Sequence, residues 1–390
     1  MRRSSLDGAR TCFRAAAVVS LLTFAASCTS VTQSLDPLKG DAQDAPLPAQ
    51  TDPVPEPTTT IDLDDGKDWI QLKSGEWLRG EIVRIRDESM DFDSDELDDQ
   101  SIDLGDIKRI VSNHEVIILT ADGRELRGTL AVEEENVWVI GESTSQIRRE
   151  DVLTLLALNE SGDSTNWSGG LSLGLTARSG NTDQTDYSAI ADLARETART
   201  RWYTRYTGAL SNINQTETAN NHRIGSTYAI NLTQRLFVTA PGIDLFSDRF
   251  QNIGLRVTPY AALGYDLFTR GAHSWAVSLG PALQYQRLDS PGPGEEREET
   301  TGAVLASSNY SWDITSDVEF TFDYSITAPV PETDRYNHNF VMQFSVDLLG
   351  DLDLDVTFIW DRVNKPQLDA DGNLPEADDF RTTVGLGWSF

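Results

Sequence analysis

From residue 166 onward, apolar and polar residues alternate along the chain in segments of roughly ten to fourteen residues. The clearest segment has Phe340, Met342, Phe344, Val346 and Leu348 at every second position. Successive side chains of a β-strand point to opposite sides, so such a segment has one apolar face and one polar face. Soluble strands rarely carry so continuous an apolar face. The pattern is typical of the strands of a transmembrane β-barrel.

Twelve such segments are predicted, at 166–178, 183–195, 200–213, 222–232, 236–248, 252–268, 273–288, 300–314, 318–330, 336–349, 352–364 and 379–390. The number is even, as in single-chain bacterial barrels. The two longest connections, 288–299 and 364–379, follow odd-numbered segments, and several even-numbered connections are short. This parity is expected when both ends of a barrel are periplasmic. The sequence therefore predicts an all-β fold with a 12-stranded antiparallel barrel over 165–390.

The last segment ends with Val384, Leu386, Trp388 and Phe390 at alternate positions. This ending resembles the terminal signal by which outer-membrane barrels are recognised for assembly. The expected partners are therefore outer-membrane lipid and the barrel-assembly machinery.

An internal repeat precedes the barrel. The pattern G-x-x-L-R-G occurs at 75–80 and again at 123–128, and short alternating segments follow each copy. The two copies resemble a pair of small SH3-like or Sm-like β-domains. We expect residues 61–158 to form a duplicated periplasmic module, which offers a surface for a periplasmic protein or a cell-wall partner.

An acidic stretch, MDFDSDELDDQSID, occupies residues 90–103 of the first copy. Its spacing suggests a calcium loop that begins at Asp91. However, Glu96 stands where the turn glycine is required and Ile102 where the bidentate glutamate is required. The interpretation that remains is a hairpin with Met90 and Phe92 in a core and with Asp91 and Asp93 in water.

The N-terminus has four arginines before an apolar run at 15–26. This pattern predicts a signal peptide over 1–28. The sequence Ala-Ala-Ser-Cys resembles a lipobox, which makes Cys28 the candidate lipidation site; ordinary cleavage is the alternative. Residues 29–60 are rich in proline and read as a disordered linker.

Charge and cysteine content limit the function classes. The formal net charge is -30, so a broad nucleic-acid surface is excluded, because phosphate binding needs clustered cations. Both cysteines, Cys12 and Cys28, lie in the first 28 residues. The body of the chain therefore has no disulfide framework and no cysteine-ligated metal.

The barrel segment resembles the salt-induced (YdiY-like) outer-membrane protein family. The resemblance rests on the opening WSGGLSLGLTARSG at Trp167, the S-G-N-T turn at 179–182, D-R-F at 248–250 and the pair Gly264-Tyr265. It implies an outer-membrane barrel of undetermined biochemical role in a Gram-negative-type cell. The fold calls for no cofactor.

Charged residues on the predicted inner face form the candidate lumen lining: Arg178, Arg201, Arg205, Arg223, Arg256, Asp266, Asp323, Asp347, Asp355 and Arg381. Eight strands leave a filled interior and sixteen a water channel, so twelve strands predict a constricted or plugged polar pore. One hypothesis is a selectivity lining in a narrow channel for small polar solutes. The alternative is a set of salt bridges that only holds the wall together, in a structural protein that anchors the module for envelope integrity.

Two further patterns bear on metal binding and on catalysis. Asp369, Asp371 and Asn373 alternate around a glycine, as in weak calcium loops. Acyl transfer needs a serine aligned with a histidine. Outer-membrane phospholipases have an H-x-S arrangement, but no serine stands two residues after His222 or His338. The sequence therefore predicts a protein that is not an enzyme.

Overall fold

The computed structural model describes residues 66–86, 89–158, 166–179, 183–270, 272–349 and 352–389. The signal peptide, the linker, Cys28 and Phe390 lie outside these residues. Within them, no helix is both long and apolar enough to cross a membrane.

The module contains ten strands, five from each copy of the repeat. The first copy contributes β1 (Asp68–Leu72), β2 (Trp77–Arg86), β3 (Ser89–Ser94), β4 (Asp98–Asp103) and β5 (Ile107–Val111). The second copy contributes β6 (Val116–Thr120), β7 (Glu125–Glu133), β8 (Asn136–Ile140), β9 (Thr144–Arg148) and β10 (Val152–Ala157). Short 3-10 turns, Leu104–Asp106 and Arg149–Asp151, precede the last strand of each copy.

The two copies share one sheet and one core. In each copy four strands form a meander and the fifth returns to the first, so β5 pairs with β1 and β10 with β6. Two further pairings cross between copies: β5 with β7 and β10 with β2. These pairings close a six-stranded ring in the order β1-β5-β7-β6-β10-β2. The module therefore differs from two independent small barrels, since neither copy closes by itself.

The common core explains the apolar positions of the repeat. Met90 and Phe92 are fully buried, together with Val137 and Val139 from the second copy. The last glycine of each G-x-x-L-R-G pattern lies where a hairpin passes closely. A Cβ added at Gly80 would stand 1.9 Å from the Asp93 carbonyl oxygen, and one at Gly128 would stand 2.4 Å from that of Ile140. Only glycine allows this close approach.

Twelve strands form the barrel: β11 (Asn166–Arg178), β12 (Gln184–Glu196), β13 (Thr200–Ile213), β14 (Thr216–Asn231), β15 (Leu236–Asp248), β16 (Ile253–Arg270), β17 (His273–Leu288), β18 (Glu298–Thr315), β19 (Val318–Pro329), β20 (Asn337–Leu349), β21 (Leu352–Val363) and β22 (Asp378–Ser389). A 3-10 turn, Thr333–Arg335, lies between β19 and β20. Each strand pairs antiparallel with the next, and β22 pairs with β11, so the barrel is closed. The predicted all-β, 12-stranded fold is confirmed.

The pairing register separates an apolar outer face from a polar inner face. At the closing seam, Leu171 is opposite Trp388 and Leu173 opposite Leu386, and all four side chains are exposed on the outside. The alternate pair, Ser172 and Gly387, faces inward. The end at which β11 begins is here called the module end, and the other end the distal end.

Strand bounds agree with the sequence pattern to within two residues except at β14. This strand begins at Thr216, six residues before the predicted 222. Thr216–Asn220 is polar except for Ala219 and carries no apolar alternation. Pairing with β13 extends the strand there, and a two-residue turn with positive φ at Asn214 and Gln215 joins the two strands.

Candidate functional site: the barrel lumen and its two ends

An ion pair crosses the middle of the lumen. Arg205 on β13 donates from Nη1 to Oδ2 of Asp323 on β19, over 2.5 Å. These strands are six places apart in a ring of twelve, so they lie on opposite walls. Asn309 donates to the other carboxylate oxygen of Asp323. The two walls are therefore joined by charge-assisted hydrogen bonds.

A second crossing lies nearer the distal end. Arg223 on β14 donates to both oxygens of Asp244 on the adjacent strand and, over 2.9 Å, to Asp361 on β21. Its guanidinium also lies 4.3 Å from the ring centre of Phe246. Nearby, Arg381 on β22 donates to Asn221 on β14. The distal half of the lumen is thus bridged between non-adjacent strands.

Within the described residues, three further predicted lining residues, Asp355, Asp347 and Arg178, form no bond to the opposite wall. Asp355 accepts from Ser345 and Gln343 on the adjacent strand. The register places Asp347 and Arg178 on the inner side, where both are exposed, one near each end of the barrel. The structure brings Arg205 and Asp323 together, and it brings Arg201 and Asp266 together at the module end. It does not join the whole predicted set.

Two module arginines enter the module end of the barrel. Arg86 on β2 pairs with Asp266, which also lies 3.6 Å from Arg201. Arg84, two residues earlier on the same strand, donates to Glu196 over 2.5 Å. The Glu196 carboxylate raises the pKa of Arg84 above its usual value. Alternate residues of one strand share a face, so β2 presents both cations to the barrel wall.

The acidic hairpin has a contact that the sequence did not predict. Asp91, expected in water, accepts from Nε and Nη2 of Arg84. Asp93 is exposed, as expected. The hairpin therefore orients Arg84 toward Glu196, because one guanidinium bonds both carboxylates.

Other contacts complete the docking of the module. Gln234, in the turn between β14 and β15, donates to the carbonyl oxygens of Glu150 and Val152. Ala198, in the preceding turn at this end, packs in an apolar cluster with Leu119, Leu153 and Leu156 of the module. The docking surface thus combines partly buried ion pairs with apolar contacts.

At the distal end, a polar cleft lies above the lumen. Three connections meet beside it: 249–252 and 364–377, which contribute to its lining, and 289–297. Asn252 donates to the carbonyl oxygens of Ser290 and Leu368, so it ties all three together. Gln286, which faces inward on β17, donates to Gln367. The longest connection therefore folds against the mouth of the barrel. Arg256, one of the predicted lining residues, lies in the wall of this cleft.

The predicted calcium ligands lie in a turn of the longest connection. Asp369 accepts from the backbone N–H groups of Asn373 and Asp371, over 2.7 Å and 3.0 Å. Its carboxylate is thus occupied by its own turn, and the Asn373 N–H lowers its pKa. In the described part of the chain, no three His, Cys, Asp or Glu side chains lie close enough together to hold a metal ion. The calcium hypothesis stays a prediction.

The barrel histidines lie on the outer face among aromatic side chains. His222 bonds Tyr206 and His273 bonds Tyr310, through Nδ1 and the phenol oxygen in each case. His338 packs against Trp360 with ring centres 4.3 Å apart. None of the three bonds a serine hydroxyl among the described residues. Aromatic clusters of this kind are typical of the membrane–water boundaries of a barrel.

The predicted assembly residues that are described, Val384, Leu386 and Trp388, are all exposed on the outer face of β22. Trp388 and Leu386 lie at the closing seam, opposite β11. Recognition by the assembly machinery stays a prediction.

These features define a class: a transmembrane β-barrel protein with a polar lumen. The chain belongs to a family described as a protein of unknown function, DUF481, whose model matches residues 171–390. This match agrees with the resemblance drawn from the barrel sequence. The family model does not cover the module.

No curated protein matches significantly. Among solved structures, the chain is similar to the NanC porin, at 13% identity and a TM-score of 0.35, covering 57% of this chain and 98% of that one. It is also similar to the outer-membrane channel DcaP of Acinetobacter baumannii, at 10% identity and a TM-score of 0.25, covering 71% and 94%.

Proposed function

We propose that the protein is an outer-membrane barrel that provides a narrow path for small polar solutes, held closed by ion pairs across the lumen. The observation that carries this proposal is the Arg205–Asp323 pair between opposite walls. A barrel that needed only a solid interior would be at least as stable with packed apolar side chains, because desolvation offsets much of the attraction in a buried ion pair. Charges of both signs are instead useful where solutes and water pass.

The proposed location is the outer membrane, with the module in the periplasm. The predicted signal peptide, the alternating C-terminal strand and the short turns at the module end support this arrangement.

The test is single-channel recording of the purified full chain in planar bilayers. The wild type is expected to show small, infrequent conductance steps, and Arg205→Ala is expected to show larger or more frequent ones, because it removes the crossing cation. The absence of discrete steps at any voltage, in both proteins, would overturn the channel proposal.

A second function is favoured by a separate observation, the docking of the module through Arg84 and Arg86. A barrel that binds the module through partly buried ion pairs can serve as its anchor. The module can then bind a periplasmic or cell-wall partner. Deletion of residues 61–158 tests this role in cells. Unchanged resistance to detergents and an unchanged set of crosslinked partners would count against it.

A further inference from the structure

The polar cleft at the distal end brings two unpaired buried side chains to one place. Its free space, about 510 Å³, is partly open to solvent. Its wall includes inward-facing residues of β16 and β17, and its rim includes the connections around Gln251 and Gln367.

Arg256 supplies a buried positive charge to this cleft. Its side chain is fully enclosed, with 2% of its residue surface exposed. Nε and Nη2 both donate to a single neutral acceptor, Oε1 of Gln286. Within the described residues, Arg256 forms no ion pair. A buried guanidinium without a carboxylate is costly, so an anion in the cleft would supply the missing partner.

Gln251 supplies a second unsatisfied group. It is 6% exposed, and neither its amide nitrogen nor its amide oxygen has a hydrogen-bond partner in the described part of the chain. Its position is fixed by its backbone, whose N–H donates to Asp248. Its neighbour Asn252 is tied to two other connections. A buried primary amide requires both a donor and an acceptor, which a hydroxyl group provides.

The other charged side chains that line the cleft already have partners. Arg335 forms a two-bonded pair with Glu299, both bonds being 2.9 Å. Lys365 pairs with Asp334. Asp244 and Asp361, which lie near Arg256, are both engaged by Arg223. Among the described residues that line the cleft, Arg256 is therefore the cation that is left for a ligand.

We propose that this cleft binds a small hydroxyl-bearing carboxylate, with the carboxylate on Arg256 and a hydroxyl on the Gln251 amide. The inference deepens the proposed function and rests on it, since it assigns the class of polar solute that is captured at the distal mouth. Specificity follows from chemistry: a neutral polyol leaves Arg256 unpaired, and a simple carboxylate leaves Gln251 unpaired.

The test is calorimetric titration of the purified full chain in detergent with gluconate, glucose and acetate. Gluconate is expected to bind saturably, and glucose and acetate to bind at least about tenfold more weakly, because each lacks one of the two groups that the site pairs. Equal binding of gluconate and glucose, or no saturable binding of gluconate, would overturn the inference.

Gln251→Leu is the decisive variant. It keeps the side-chain volume and removes two unsatisfied buried atoms, so a purely structural role predicts unchanged folding and unchanged titrations. The site predicts unchanged folding with a loss of gluconate affinity of about tenfold or more. Arg256→Gln is expected to lose affinity too. The matched control is Gln184→Leu, which lies toward the same end outside the cleft and should bind gluconate as the wild type does.

Binding and conductance separate the two proposals. Conductance steps without gluconate binding would overturn the inference and leave the channel standing. Gluconate binding without conductance steps would support the site and overturn the channel.

Discussion

Arg205 and Asp323 are 118 residues apart in the chain, yet their side chains meet at 2.5 Å across the lumen. Each stands on the inner face of its strand, and the two strands are on opposite walls. The pair places both signs of charge at mid-lumen, where any solute crossing the barrel must pass. The properties of this pair therefore give the most direct test of what the lumen does.

Removal of Arg205 should change ion selectivity. In Arg205→Ala, Asp323 remains without its cation, and the inner-facing Asp192, paired in register with residue 205, adds a second negative charge. We expect the ratio of cation to anion permeability to rise about several-fold, because charges on the lumen face set selectivity. The measurement is the reversal potential in a salt gradient. Arg178→Gln, at the exposed distal end, is the control, and an equal shift in both variants would contradict a special role for the crossing pair.

Removal of Arg86 should loosen the docking of the module. Arg86→Ala leaves the buried Asp266 with only Arg201, 3.6 Å away. Loss of a hydrogen bond to a charged partner costs about 1.5–3 kcal/mol, so opening of the contact should become about ten- to a hundredfold more frequent. Hydrogen exchange of β2 amides measures this opening. The control is Arg124→Ala, which breaks an exposed pair with Asp122 and should change the exchange of the β2 amides little. Similar exchange in both variants would refute the docking role of Arg86.

Asp68 should be essential to the stability of the module. Its carboxylate is buried and accepts from the backbone N–H groups of Ile82, Asn113 and His114. These bonds connect β1 and β2 of the first copy to the segment that leads into the second. Asp68→Ala would leave these buried N–H groups without an acceptor, so the free energy of unfolding should fall by about 2–4 kcal/mol. Urea unfolding of the full chain in detergent, followed by tryptophan fluorescence, measures it, with the exposed Asp93→Ala as the control.

The stability of the Asp369 turn should depend on pH. The N–H groups that bond its carboxylate, that of Asn373 foremost, hold its pKa below the ordinary aspartate value. A lowered carboxyl pKa means that the turn has its full stabilisation above the ordinary value and loses it as pH falls through the lower folded value. Amide exchange at Asn373 as a function of pH tests this, with Asp371→Asn as the control. Slower exchange on addition of calcium at neutral pH would instead support the metal hypothesis.

How far the sequence could predict the site depended on the range of the contacts involved. The identity of the inner face followed from two-residue alternation, which is local, and so Arg205, Arg223 and Asp323 were found among the candidates. Their partners were not predictable, because partnership depends on strand number, register and the curvature of a closed wall. No sequence pattern indicated a role for Gln251. Its role depends on three connections, far apart in sequence, that meet around Asn252.

The module shows the same division. The repeated G-x-x-L-R-G pattern predicted two equivalent small β-domains. Their joining through β5 with β7 and β10 with β2 was not visible, because either copy could in principle pair its own edges. Arg84 and Arg86 likewise appeared as ordinary polar positions on a strand, and only docking against Glu196 and Asp266 gave them partners.

The sequence by itself determined the all-β class, the twelve barrel strands, the apolar outer face and the polar inner face. Each of these follows from side-chain alternation along a single strand, which a chain expresses wherever its backbone is extended. Only the tertiary structure decided which charges meet across the lumen, how the two module copies share a core, and which buried groups at the distal mouth remain unpaired. The reason is physical: hydrogen bonds and ion pairs act over about 3–4 Å, so they belong to residues that closure of the sheet brings together.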